Sequence, residues 1–316
     1  MTDILYGVLV APFKDMVGSP AFLGEVLIGG LLAGVMYSLV ALGFVLIYKA
    51  SGVFNFAQGA MVFLAALTFV SILKMEVNFW LALIITLGVM VVLGIGIEKI
   101  VLRPLVNQSP ITLFMATIGL TFVLEGLSQL VWGSQPHGLE LGIPDVPMEW
   151  LSQKWNINVS QFEVFAAGVA GAMVAGLALF FQYTRIGRAL RAVADDHQAA
   201  MAVGIPLKHI WAIVWAVAGF VALVAGLMWG ARNGVQFALT FIALKALPVL
   251  ILGGFESVPG AIVGGLIIGA SEKLAEVYIG PMVGGGIESW FAYVIALLFL
   301  LVRPQGLFGE KIIDRV

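Results

Sequence analysis

Apolar residues in this chain come in runs rather than in alternation with polar ones. The runs fall near 23–48, 56–73, 79–102, 111–132, 162–183, 210–230, 260–279 and 287–302, each close to the ~20 residues a helix needs to cross a bilayer core about 30 Å thick. A shorter piece, Phe241 to Leu252, is expected to cross only in part. The pattern predicts an all-α polytopic integral membrane protein of about eight to nine transmembrane helices, some glycine-broken or re-entrant, forming a single membrane domain over 1–316. The N-terminal MTDILYGVLVAPFKDMVG lacks the basic region and cleavage site of a signal peptide and reads as an interfacial lead-in.

Basic residues orient the spans. If the windows alternate and 241–252 also crosses, Lys49, Lys99, Arg103, Arg185, Arg188, Arg191, Lys208, Arg303, Lys311 and Arg315 fall on one side. Lys14, Lys74, Lys154 and Arg232 are left for the other, so the first side is expected to be cytoplasmic. Trp80, Trp132, Trp229 and Trp290 then lie at outer boundaries and Trp211 at an inner one, as interfacial rings do.

Composition agrees: 61% hydrophobic and 11% charged residues, with a mean hydropathy of +1.07, exclude an ordinary soluble domain. The net charge of -2 gives no reason to expect a nucleic-acid partner, and the absence of cysteine removes disulfide and thiol chemistry. His137, His197 and His209 stand apart, with no HExxH pair and no phosphate-binding GxxxxGK[ST] loop. No cofactor is therefore expected in this chain, and any ATP and Mg would belong to partner subunits. An intramembrane enzyme has no credible site. A stand-alone secondary transporter would need charged relays inside the membrane, for which Glu125 and Lys245 are thin material. Both should face the bundle or a wet cavity, although Lys245, near a span end, is expected mainly to snorkel.

An internal echo points to the path. Residues 37–67 and 241–270 share an order of apolar half, glycine-containing break and small-residue-rich apolar half; Ala41-Leu42 matches Ala246-Leu247, and Gly59-Ala60 matches Gly260-Ala261. Paired broken segments in a transporter mark the substrate route, because irregular backbone at membrane depth must face protein or water. The candidates for that route are Asn55, Phe56, Gln58, Gly59, Ser257, Pro259 and Gly260. The alternative is a pair of turns at the cytoplasmic surface. Small-xxx-small spacings, such as Gly30 to Gly34 and Gly260 to Gly264, are read as close helix packing.

Two loops stand out. The outer one, 133–160, expected to be periplasmic, is rich in Gly, Pro and Trp, and its Glu140, Asp145 and Glu149 would suit either a docking surface or a solvated cap. The other, 184–208, is the one long polar stretch rich in basic residues. Asp195 followed by Gln198 forms a capping-box pattern, Gly204 supplies a stop and Pro206 prevents continuation, predicting a helix of about two turns. So short a helix must be held by packing. Ala199 and Ala200 mark its expected buried side. Arg185, Arg188 and Arg191 would suit binding to anionic membrane lipid or phosphate, but their helical spacing at the end of a span reads by default as positive-inside anchoring.

Gln198 to Gly204 resembles the EAA-x-x-x-G cytoplasmic loop of ATP-binding-cassette import permeases, with Gln in place of Glu. Gly52-Val53-Phe54-Asn55-Phe56-Ala57-Gln58-Gly59, Arg188 to Asp196, Leu252 to Gly260 and Arg303-Pro304-Gln305-Gly306-Leu307-Phe308-Gly309 resemble the LivH-type permeases of branched-chain amino acid importers. That family commonly has His where this chain has Gln58. The resemblance implies a second related permease, two cytoplasmic ATPases that bind ATP and Mg, an external or periplasmic solute-binding protein, and a bacterial or archaeal cytoplasmic (inner) membrane. It makes Asp195 to Gly204 a coupling helix, with Arg188, Arg191, Asp195, Asp196, Gln198, Ala199, Ala200 and Gly204 as the coupling set. The cargo would be branched-chain or other hydrophobic amino acids, with urea, amides or small carboxylates as the alternative.

Overall fold

The computed structural model describes residues 11–105, 108–195 and 197–309. Its helices are α1 (Ala11–Gly18), α2 (Pro20–Ser51), α3 (Gln58–Lys74), α4 (Phe79–Gly96), α5 (Pro110–Trp132), α6 (Glu149–Trp155), α7 (Gln161–Tyr183), α8 (Arg185–Asp195), α9 (His197–Ala202), α10 (Leu207–Asn233), α11 (Ile242–Gly253), α12 (Val258–Tyr278), α13 (Gly280–Val283) and α14 (Glu288–Val302). Six described helices are long and apolar enough to span: α2, α4 with its extension to Leu105, α5, α7, α10 and α12. Gln58–Lys74, Phe237–Gly253 and Glu288–Val302 are shorter apolar helices. Every apolar window read from the sequence is a helix, and the chain is an all-α multi-pass membrane protein.

The spans divide into two kinds. The central ones, α2 and α10, bury 78% and 72% of their most apolar windows within the chain, whereas α4, α5 and α7 each bury 28%. With so little of their surface used inside the chain, the latter three turn apolar faces outward, as helices bordering lipid or another subunit do. The most extensive pairing joins α2 to α12. Small residues allow it: a Cβ on Gly34 would stand 2.4 Å from the Gly265 carbonyl oxygen, and one on Gly269 2.4 Å from that of Gly30. The Gly30-to-Gly34 spacing is therefore a packing seam, as expected.

Three features differ from the sequence reading or add to it. First, α4 continues through a π-helical turn, Ile97–Leu102, and a 3-10 turn, Arg103–Leu105. The turn buries Glu98 completely, and Arg103 closes on its carboxylate with two bonds of 3.0 and 2.6 Å, so this buried charge is paired. Second, the piece expected over 241–252 begins four residues earlier, as a 3-10 turn Phe237–Phe241 feeding α11. Third, the tail motif folds back. Leu307 and Phe308 donate backbone bonds to the Leu252 and Gly253 carbonyls, at 2.8 and 3.1 Å. Two family-like segments more than forty residues apart thus complete each other, the tail satisfying carbonyls at the end of α11.

Lys49 reaches the Glu256 carbonyl, Arg191 that of Phe181, and Trp211 Nε1 that of Ala50. With Arg188 on the Tyr183 carbonyl and Arg303 leading into the folded-back tail, Lys49, Arg188, Arg191 and Arg303 gather at one end of the bundle, the basic end. At the far end, Lys74 meets His137 and Arg232 meets Glu163. The 133–160 segment lies there, carrying α6 and tied down by a bridge from His137 to Val235 and by the Asn158 amide donating to Glu25. Its Leu139 is buried, and Glu140, Asp145 and Glu149 are exposed.

Candidate functional site

The first break, 52–57, is sealed rather than open. α2 ends at Gly52 in the left-handed region (φ +66°). Asn55 then works as an internal brace: its Oδ1 accepts the Ala57 amide at 3.1 Å, and its Nδ2 donates to Gln58 Oε1 at 3.3 Å. Gln58 Nε2 in turn donates to the Ala218 carbonyl on α10, and both side chains are fully buried. Gly59 sits where α3 meets the 3-10 turn before α11; a Cβ there would lie 2.1 Å from the Thr240 carbonyl oxygen. Phe56 is half-buried, its amide bonded to Thr117 Oγ1 and its ring against Phe54 and Phe114.

The second break belongs to a different environment. Ser257 is the N-cap of α12, its Oγ accepting from the Gly260 amide at 3.0 Å. Ser257 and Pro259 line a pocket of about 340 Å³ at the basic end, together with Lys49, Glu256 and Arg191. Gly260 is buried against Gly253. Asn55, Gln58 and Gly59 are thus in closed core, while Ser257 and Pro259 face a pocket shared with Arg191. The two breaks approach each other through aromatic rings, with Phe54 6.0 Å from Phe255 and Phe255 5.7 Å from Tyr48.

In the 184–208 segment, the capping box does not form as read. Asp195 is the last residue of α8, exposed and helical, because Gly187, Leu190 and Val193 bury one face of a helix that runs through from Arg185. Asp196 lies outside the described residues. Gln198 is within α9, which is the shorter helix actually present. Its stop is as predicted: Gly204 has φ +86°, and the Gly204 and Ile205 amides bond the Met201 and Ala200 carbonyls, the paired bonds of a Schellman end. Ala200 is buried inside this chain's own core, and Ala199 is exposed. Ala200 alone therefore serves the loop's own packing, Ala199 not lying on the buried side as expected, while Met201 and Val203, 52% and 77% exposed, form an outward apolar ledge. Arg191 bonds the Phe181 and Gln182 carbonyls and Arg188 that of Tyr183, so both arginines clasp the unsatisfied C-terminus of α7.

At the far end lies a larger cavity, about 690 Å³, between α2, α10, α11, α12 and α14. Its wall holds a charged cluster. Lys245 Nζ is 2.9 Å from Glu272 Oε1 and 3.4 Å from Glu288 Oε1, and Tyr37 OH donates to Glu272 at 3.2 Å. Tyr37 and Glu272 are almost fully buried. Apolar walls adjoin the cluster: Tyr37 stacks on Trp229 at 5.3 Å between centroids, and Leu239, Phe241 and Leu244 are among the lining residues, beside the polar Asn233, Gln236, Lys273 and Ser289.

A family model described as "Branched-chain amino acid transport system / permease component" matches residues 26–303. The chain belongs to that family. It is 28% identical to the high-affinity branched-chain amino acid transport system permease protein LivH of Salmonella typhimurium, over 91% of this chain and 96% of that protein. A probable branched-chain amino acid transport permease protein LivH of Methanocaldococcus jannaschii is 29% identical over 91% and 93%. The fructose import permease protein FruF of Bifidobacterium longum is more distant, 23% identical over 85% and 75%.

Among the residues that sequence reasoning placed in this permease, Lys245 faces a cavity and carries ion pairs instead of snorkelling, because partners on α12 and α14 meet it inside the bundle. Glu125 lies beside the Thr240 hydroxyl. Tyr37, Glu272 and Glu288 were missed. Their signal was a polar residue in each of three apolar runs, legible only once Lys245 is asked which carboxylate neutralises it.

Proposed function

We propose that this chain is the membrane-spanning permease subunit of an ATP-binding-cassette importer for branched-chain or other hydrophobic amino acids, in the cytoplasmic (inner) membrane of a bacterium or archaeon. The observation that carries the reading is the family match across 26–303, nearly the whole helical bundle. The basic end is then cytoplasmic. A second related permease completes the pathway, two ATPases supply ATP and Mg chemistry, and a solute-binding protein delivers cargo to the far end, where Glu140, Asp145 and Glu149 are exposed.

In this scheme α8, α9 and the Gly204 turn are the coupling element. The Arg188 and Arg191 clasps fix it to α7, so a push on the loop reaches the bundle as a rigid displacement. The ledge of Met201 and Val203 is the surface offered to an ATPase groove. Nucleotide and cargo then bias one two-state bundle through their different affinities for its two forms. Ser257, Pro259 and Gly260 line or shape the cytoplasmic side of the path, and Asn55, Phe56, Gln58 and Gly59 brace the closed core behind it.

The test is uptake by the purified complex in liposomes, comparing leucine, urea and small carboxylates. ATP-dependent leucine uptake that requires the binding protein is the expected result. Uptake by this chain alone, driven by an ion gradient, would mean a secondary transporter, and urea uptake without leucine uptake would move the assignment to the alternative cargo.

A further inference from the structure

We infer that the far-end cavity is a binding site for a zwitterionic amino acid, seated between Lys245 and Glu288; this rests on the importer reading above. Its volume of about 690 Å³ falls within the ~300–1,000 Å³ typical of small-molecule sites. Charged groups of both signs at membrane depth are costly and are kept where they have a partner or a task. Packing alone does not demand these, since replacing a buried ion pair by apolar residues of similar volume is often neutral or stabilising.

The geometry makes the two ion pairs unequal. Glu272 is the closer partner of Lys245 at 2.9 Å, buried and also held by Tyr37. Glu288 stands further off at 3.4 Å, with its side chain 41% exposed. Glu288 is the first residue of α14, where the helix dipole favours its charge, but it is not the cap. The start of α14 is capped by Glu276 instead, whose carboxylate accepts from the Gly286 amide at 2.8 Å and the Glu288 amide at 2.9 Å. Two further cations stand on the wall: Arg232, already paired with Glu163, and Lys273, one turn from Glu276 on α12.

A zwitterion fits the looser pair without leaving a charge unmatched. Its carboxylate accepts from Lys245, its ammonium donates to Glu288, and one long contact is exchanged for two short ones. A lone anion would strip Glu288 of its cation, and a lone cation would compete with Lys245 for the same carboxylate. The aliphatic side chain lies against Trp229, Leu239, Phe241 and Leu244. Because Lys245 keeps Glu272 throughout, it is paired with or without cargo, and the ligand is held loosely, as a conducting pathway requires.

The test uses the whole complex with its solute-binding protein in liposomes, reading initial ATP-dependent uptake of radiolabelled leucine beside co-purification of the ATPases. Lys245→Met should lower uptake at least tenfold. Glu288→Gln, which leaves the Lys245–Glu272 pair and the Glu276 cap in place, should lower it severalfold, and it decides the question should Lys245→Met fail to assemble. The exchange Lys245→Glu with Glu272→Lys restores an ion pair but not the polarity, so the complex should assemble and uptake should stay low. Wild-type uptake by Glu288→Gln, or recovery of wild-type uptake in the exchange, makes the cluster a structural strut and overturns the site. A wild-type complex that moves no leucine under any condition overturns the importer reading itself, and the site with it.

Discussion

Two regions of the bundle treat buried polar groups in opposite ways. In the closed core around the first break, Asn55 and Gln58 are neutral, wholly enclosed and hydrogen-bonded to their own segment and to α10. At the far end, Lys245, Glu272 and Glu288 are charged and open onto a cavity. Neutral groups with fixed partners hold an irregular backbone in place, since an unsatisfied polar atom in that position would cost about 1–3 kcal/mol. Charged groups beside a cavity can exchange partners with a visitor. Burial alone therefore does not distinguish an architectural polar residue from a working one; charge together with access does.

The largest effect expected from this contrast is at Gly59. A Cβ there would lie 2.1 Å from the Thr240 carbonyl oxygen and 2.9 Å from Ala243 Cβ, both on a neighbouring segment with no room to retreat. Gly59→Leu should therefore prevent assembly and not merely block passage, because overpacking of this size displaces backbone. Size-exclusion of the solubilised complex checks it. A monodisperse, fully assembled variant would show that the sealed region is looser than its geometry.

Next in size is the ledge. Val203→Glu places a charge on a surface that is 77% exposed in this chain, so it should leave the permease folded while reducing ATPase co-purification about tenfold, equivalent to about 1.4 kcal/mol. Ala200→Arg reports something else. Ala200 is buried in the chain's own core, so an arginine there disrupts α9 itself, and loss of coupling in that variant says nothing about the partner surface. Unchanged co-purification in Val203→Glu would move the contact away from the ledge.

Asn55→Leu should be smaller. It removes the acceptor for the Ala57 amide and the donor to Gln58 Oε1, for a loss of about 1–3 kcal/mol and a lowered melting temperature. Uptake per folded complex should change little. A transport defect at unchanged stability would instead restore Asn55 to the substrate path.

The contrast between the two regions also explains what could be read from sequence. The spans were legible because lipid demands long apolar runs, and the breaks at Gly52 and Gly254 because glycine with positive φ stops a helix. The charged cluster was not legible. Tyr37, Lys245, Glu272 and Glu288 come from four helices, and only tertiary packing brings them together. Lys245 looked like a snorkelling residue because local sequence shows the distance to a span end and not the carboxylates across the bundle. The capping box at Asp195 was misread for a related reason. The D-x-x-Q pattern is short and degenerate, and the buried face of Gly187, Leu190 and Val193 extends α8 past the point where that pattern would begin a new helix.

That misreading sets the smallest prediction. Were Asp195 an N-cap, its replacement by alanine would remove a hydrogen bond to a free amide and cost about 1 kcal/mol. In the structure it is the exposed last residue of α8, where the helix dipole disfavours a carboxylate. Asp195→Ala should therefore fall within about 0.5 kcal/mol of wild type, the ordinary range for an exposed surface change, and any shift should be toward greater stability. Thermal unfolding of the purified complex, read beside substrate-stimulated ATP hydrolysis, measures both consequences. A destabilisation of a full cap's worth would mean that α9 begins at Asp195 after all, and a loss of stimulated hydrolysis at unchanged stability would place this carboxylate on the surface that meets the ATPase.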